Sequence, residues 1–175
     1  DLGAVVSASH NPPEYNGVKL FAAGGHKLTD DEEEAVESLL DAPADNGGAV
    51  ERVDDAGERY LAHIVERFAS DLTGLRIGVD CANGAFSALA PGVFAELGAE
   101  VHAIGVEPDG TNINVGCGAT NLAALQQTVS RHGLDLGVAF DGDGDRMLAV
   151  DEHGEPLVGD QILAVLALAL GVDVV

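Results

Sequence analysis

The chain has 175 residues, 46% apolar and 4% aromatic with no tryptophan, so it is globular and must build its core from Ala, Val, Leu and Ile. Its formal charge of −22, from 30 acidic and 8 basic residues, argues against a partner that is nucleic acid or an anionic membrane. Lysine occurs only at Lys19 and Lys27, and the acidity fits either a high-salt or high-GC source or simply a soluble acidic enzyme.

Leu2 to Val6 is a short apolar run that reads as a buried strand. The loop after it carries Ser7, Ser9 and His10, and Asn16-Gly17 marks a turn into a second strand, Val18 to Phe21. Thr29 and Glu32 form a capping-box pattern that starts a helix running to about Leu40, with Pro43 beyond it. Ala44 to Val50 reads as loop, and Tyr60, Leu61, Ile64, Val65 and Phe68 recur at helical spacing over 55–69. Thr73-Gly74 marks a boundary, after which strands and helices alternate. The reading is strand Leu75 to Asp80, helix Ala88 to Leu97 closed by Gly98, then strand Val101 to Val106. A helix on Leu122, Leu125 and Val129 follows, stopped by Gly133. Strands Leu136 to Phe140 and Met147 to Asp151 come next, and a helix starts from Asp160. This order predicts an α/β chain with mixed, largely parallel sheets flanked by helices on both faces.

Ile162 to Leu170 is the longest apolar run, well short of the roughly 20 residues a membrane span needs. No signal peptide is read, and Cys81 and Cys117 make neither a disulfide framework nor a CxxC site, which fits a cytoplasmic location. Both ends, at Asp1 and at Val172 to Val175, read as strand, so a fragment of a longer protein is expected.

Asp141-Gly142-Asp143-Gly144-Asp145-Arg146 places carboxylates at alternate positions, with glycines that allow a tight loop to point them inward. Such crowding calls for a divalent cation or several donors, and hard oxygen ligands suit Mg²⁺. An EF-hand starts the same way and finds Glu152 at its twelfth position, but Arg146 occupies the sixth, where that loop needs Gly, and the flanks are strands. A solvated acidic turn is the other alternative. The strand feeding the loop speaks against it, because ligands of α/β sheets gather at the carboxyl ends of strands.

Ser7-Ala8-Ser9-His10-Asn11-Pro12 lies at a similar strand end. By itself it is a turn; beside the acidic loop and Lys19 it reads as a seryl-phosphate site, whose added charge of about −1.5 to −2 needs a cation. His10 either caps its loop or lines the site, and Lys19 either faces outward or serves as a base. Arg146 either partners the aspartates or helps hold phosphate. Asn83-Gly84 reads as a plain βα turn, Cys117 as a packed thiol, and His63, His102, His132 and His153 lack metal spacing.

These two motifs, with Asn16-Gly17-Val18-Lys19, resemble the phosphoserine and metal loops of the α-D-phosphohexomutases. The resemblance implies that Ser9, not Ser7, carries the phosphoryl group and that His10 lines the site. It implies Lys19 as general base, Arg146 beside the metal, and Mg²⁺ on Asp141, Asp143, Asp145 and the Ser9 phosphoryl group. Gly25-His26-Lys27-Leu28 and Asp109 to Gly118 look most like the phosphoglucosamine-converting bacterial branch. That branch implies an intramolecular phosphotransferase interconverting glucosamine 6-phosphate and glucosamine 1-phosphate through a sugar bisphosphate. The alternatives are a phosphomannomutase or phosphoglucomutase, and a Mg²⁺-binding domain that has lost catalysis. In the four-domain plan of that family, residues 1–70 would be the latter part of domain I, 71–156 domain II and 157–175 the start of domain III. The sugar-selecting parts would lie elsewhere, leaving this fragment alone inactive.

Overall fold

The computed structural model describes residues 2–43, 47–68 and 70–172. The strands are β1 (Gly3–Ser7), β2 (Gly17–Phe21), β3 (Arg76–Asp80), β4 (Glu100–Ile104), β5 (Leu136–Phe140), β6 (Met147–Asp151) and β7 (Pro156–Leu157). The helices are α1 (Asp30–Glu37), α2 (Ala56–Phe68), α3 (Ala90–Glu96), α4 (Ala123–His132) and α5 (Gly159–Leu170), with 3-10 turns at Pro13–Tyr15 and Gly118–Thr120. Of the expected elements, part of the loop at 44–50 and the strand-like ends at Asp1 and 173–175 fall outside the described residues.

β1 and β2 form an antiparallel pair in which Val5 lies opposite Lys19 and Ser7 opposite Gly17. The serine loop is therefore the connection of a hairpin. β1 is a strand as expected, but it is not buried: Val6 is 75% exposed. Two strands make no second layer, and among the described residues no helix packs closely over the pair. At α1, Glu32 accepts hydrogen bonds from both the N–H and the hydroxyl of Thr29, each 2.9 Å, which is the capping box read from the sequence.

The second sheet has the order β4-β3-β5-β6-β7. It is mixed, but not largely parallel: β3 pairs parallel with β4 and β5, whereas β5–β6 and β6–β7 are antiparallel. The reason is connection length. A helix separates each parallel partner, while only the acidic loop joins β5 to β6, with Phe140 paired to Met147, and so short a link permits only an antiparallel return.

Helices cover both faces. On one, Ile77, Val79, Cys81 and Val138 pack with Ala90 of α3, and α2 lies across α3. On the other, Leu125 and Val129 of α4 pack with Leu134, Ala139 and Val150. Gly78 and Gly137 sit beneath α4, where a Cβ would come within 3.0 and 2.9 Å of Leu125 atoms, so both glycines set how closely that helix approaches. α4 ends at Gly133 in the left-handed conformation, φ +60°, as its sequence signals. Among the described residues no helix is long and apolar enough to cross a membrane.

Candidate active site

The β5–β6 loop carries its aspartates to the carboxyl end of β3 and β5, and the serine loop docks there. Gly142 N–H donates to the Ser9 carbonyl (2.9 Å), and its own carbonyl accepts from Ala85 N–H (2.8 Å) beyond β3. These contacts need Gly142, because a Cβ there would collide with the Ser9 carbonyl oxygen and lie 2.7 Å from Ile113 Cδ1.

The side chains then converge. Ser9 Oγ lies 3.4 Å from Asp141 Oδ2 and 3.3 Å from His10 Nδ1. Ser7 Oγ donates to Asp143 Oδ2 (2.7 Å) and accepts from the Ser9 N–H (2.9 Å). Lys19 Nζ donates to the same Asp143 oxygen (2.6 Å) and approaches Asp145 Oδ2 at 4.0 Å. Arg146 binds Asp141 through its backbone N–H (3.1 Å), while its side chain is 61% exposed and comes no nearer than 4.0 Å to Asp145. The sequence-read residues Ser9, His10, Lys19, Asp141, Asp143, Asp145 and Arg146 thus share one site, although they come from segments more than a hundred residues apart.

One oxygen from each of Asp141, Asp143 and Asp145 lies within 4.8 Å of the others, a spacing that fits a single cation. Asp143 Oδ1 is buried with no hydrogen-bond partner, so the cluster has an acceptor that its protein neighbours leave unused. The chemistry of the donor set, all hard carboxylate oxygen, suits a metal of the Mg²⁺ or Ca²⁺ kind. The EF-hand alternative fails on geometry, because the loop is the tip of a strand hairpin and Glu152 lies at the far end of β6.

Charge settles the state of Lys19. The hydrogen bond to Asp143 is the largest influence and raises its pKa; partial burial lowers it, and the fields of Asp143, Asp145 and Asp141 raise it further. The direction is opposite to the lowered value that a base acting near neutral pH needs. For Asp143, burial pushes upward, but the hydrogen bonds from Lys19 and Ser7 and the Lys19 charge outweigh it and hold the carboxyl below its ordinary value.

Two further groups around the site, the buried Asp80 and the half-buried Asn114, carry no clear signal in the sequence. Asp80, fully buried at the end of β3, accepts from Ala82 N–H (3.0 Å) and Gly118 N–H (2.8 Å) and so ties the 105–118 loop to the sheet. Burial pushes its carboxyl up against the pull of those donors. Asn114 donates to the Ser9 carbonyl (2.7 Å) and the Asn11 carbonyl (2.9 Å), with only its place in the Asp109–Gly118 run as a sequence signal. Asn83 is structural, accepting from Glu107 N–H (3.1 Å). Cys117 is a packed thiol whose pKa is raised by burial and by Asp80.

The family model for phosphoglucomutase/phosphomannomutase α/β/α domain II matches residues 58–154, more than half of the chain, and that for α/β/α domain I matches residues 1–46. The chain belongs to the phosphoglucomutase/phosphomannomutase family. Within this mutase family, a phosphoglucosamine mutase of Rhodococcus erythropolis is 55% identical over 176 residues, covering 97% of this chain and 40% of that protein. One from Saccharopolyspora erythraea is 53% identical over 175 residues, covering 97% and 39%. The crystal structure of a phosphoglucomutase/phosphomannomutase family protein from Burkholderia thailandensis matches with a TM-score of 0.79 at 31% identity, over 97% of this chain and 38% of that one. The chain thus spans about two fifths of the length of the mutases it matches.

Proposed function

We propose that this chain supplies the phosphoserine and the metal-binding half of a phosphoglucosamine mutase, which interconverts glucosamine 6-phosphate and glucosamine 1-phosphate. The observation that carries the reading is Ser9 Oγ standing 3.4 Å from Asp141, within a cluster of three carboxylates that fits one cation. The choice of sugar rests on the relatives of 50% identity or more that are phosphoglucosamine mutases.

In this reading Ser9 Oγ carries the phosphoryl group. A sugar hydroxyl attacks the phosphorus; the bond to Ser9 Oγ breaks as the bond to the sugar oxygen forms, giving a sugar bisphosphate. After the bisphosphate reorients, Ser9 Oγ takes back the other phosphoryl group. Mg²⁺ held by Asp141, Asp143 and Asp145 would offset negative charge on the phosphoryl oxygens. Lys19 handles the proton of the sugar hydroxyl. What keeps Lys19 protonated is its bond to Asp143 and the fields of three carboxylates, and a cation held by those carboxylates would weaken both. Arg146, exposed beside the aspartates, and His10, beside Ser9 Oγ, are placed to donate to phosphate. The two buried thiols, Cys81 and Cys117, fit a cytoplasmic enzyme.

The test is the full-length protein assayed with glucosamine 6-phosphate, mannose 6-phosphate and glucose 6-phosphate side by side, with mass spectrometry of the Ser9 peptide. Preference for glucosamine 6-phosphate and phosphate on Ser9 are expected. Preference for another sugar would return the assignment to the phosphomannomutase or phosphoglucomutase reading, and phosphate on Ser7 alone would refute the assignment of Ser9.

A further inference from the structure

Ser9 has φ +50°, in the left-handed region that a serine adopts at a cost. Its two backbone groups are both tied. The N–H donates to Ser7 Oγ (2.9 Å), and the carbonyl accepts from Gly142 N–H (2.9 Å) and Asn114 Nδ2 (2.7 Å). Asn114 uses its second amide hydrogen on the carbonyl of Asn11 (2.9 Å), so one side chain grips the serine loop on either side of His10.

Asn114 is itself firmly held. Its backbone N–H donates to the Ala82 carbonyl (2.9 Å), just beyond β3, and its φ is +59°, a conformation Asn tolerates better than most residues. The orientation of its amide is fixed by chemistry, because both partners are carbonyl oxygens and can only accept. The price is Asn114 Oδ1, which is buried with no partner. A polar atom left so is costly. The donor half of the amide is therefore what the site uses, and it bridges the β3 side of the molecule to the β1 loop.

We propose that Asn114 is a positioning residue for phosphoryl transfer: its side-chain amide holds the Ser9 peptide in the left-handed conformation that aims Ser9 Oγ at Asp141. The proposal rests on the reading of Ser9 as the phosphoryl carrier. Without the amide, Ser9 relaxes toward an ordinary backbone conformation and its Oγ swings from the acidic loop. A misplacement of about 1 Å at a reacting atom costs on the order of 10²-fold in rate.

The experiment compares Asn114→Gly, Asn114→Asp and Ser9→Ala in the full-length protein, with thermal unfolding of each. Asn114→Gly keeps a backbone at ease with positive φ and deletes the amide; Asn114→Asp keeps the shape and sets an acceptor against two carbonyls. Asn114→Gly is expected to unfold near the wild-type temperature and Asn114→Asp to fold but unfold lower, because its carboxylate faces two acceptors; both should show kcat about 10²-fold lower and KM within about threefold. Single-turnover transfer from a sugar bisphosphate to Ser9 should slow to match. Wild-type kcat in Asn114→Gly, or a rise in KM with kcat unchanged, overturns the proposal. If Asn114→Gly does not fold, Asn114→Asp decides; if neither folds, Asn114 is a structural residue and the proposal falls. An active Ser9→Ala protein would instead refute the reading of Ser9, whatever the Asn114 variants do.

Discussion

Replacing Gly142 with alanine tests how the two loops are joined. Gly142 is not in the left-handed region, so the added methyl acts by contact alone. It would collide with the Ser9 carbonyl oxygen and lie 2.7 Å from Ile113 Cδ1 and 3.0 Å from Asn114 Nδ2. Either the loops strain to keep their contact, at about 1–3 kcal/mol for overpacking, or the serine loop moves off. Moving off forfeits two hydrogen bonds to the Ser9 carbonyl, from Gly142 N–H and Asn114 Nδ2, at about 0.5–1.5 kcal/mol each. Both routes cost similar amounts, and either one displaces Ser9 Oγ relative to Asp141. The core around Ile77 and Leu125 lies in separate packed clusters and should hold. Gly142→Ala in the full-length protein should therefore unfold within a few degrees of wild type, yet lose on the order of 10²-fold or more in kcat. Gly159→Ala is the control: it has no atom within 4 Å of its Cβ position and opens α5, so it should be neutral or stabilising by up to about 1 kcal/mol. Steady-state kinetics with thermal unfolding reads both. A Gly142→Ala protein with wild-type kcat would refute the view that the close approach of these loops positions Ser9.

In the metal-free protein the Lys19–Asp143 pair should stabilise most at intermediate pH. Asp143 has a lowered pKa, so its share is lost as pH falls below its ordinary 3.8; Lys19 has a raised one, so its share is lost as pH rises through a value above 10.5. A stability difference between wild type and Lys19→Met that does not change across that range would contradict the pair. Phosphorylation of Ser9 replaces a weak neutral ligand with anionic oxygens, so calorimetry should find Mg²⁺ bound more tightly by the phosphoprotein than by Ser9→Ala, by about 5- to 150-fold, the usual span of such couplings; equal affinities would sink the shared site. With 30 acidic and 8 basic residues, the melting temperature should rise as KCl is added and the screening length falls from about 30 Å at 0.01 M to about 3 Å at 1 M. A flat or falling trend would show that the charges are locally compensated.

Local signals in the chain were enough to place most of the elements and to single out the residues that the fold brings together. Apolar periodicity located α2 and α4, the Thr29 and Glu32 pair started α1, and Gly133 ended α4, because these signals act within one or two turns of chain. The three aspartates at alternate positions announced, by local crowding alone, a carboxylate cluster whose spacing fits a cation. What depends on pairing across distance emerged only with the fold. The exposure of β1 follows from which layers pack over it, and the even balance of parallel and antiparallel pairing in the five-stranded sheet from which strand ends meet. The raised pKa of Lys19 needs Asp143, which is 124 residues away and has no trace near Lys19 in the sequence. Asn114 reads as an ordinary loop asparagine until the fold sets its amide against the carbonyl of Ser9, 105 residues earlier, because a hydrogen bond between distant segments leaves no periodic pattern in either.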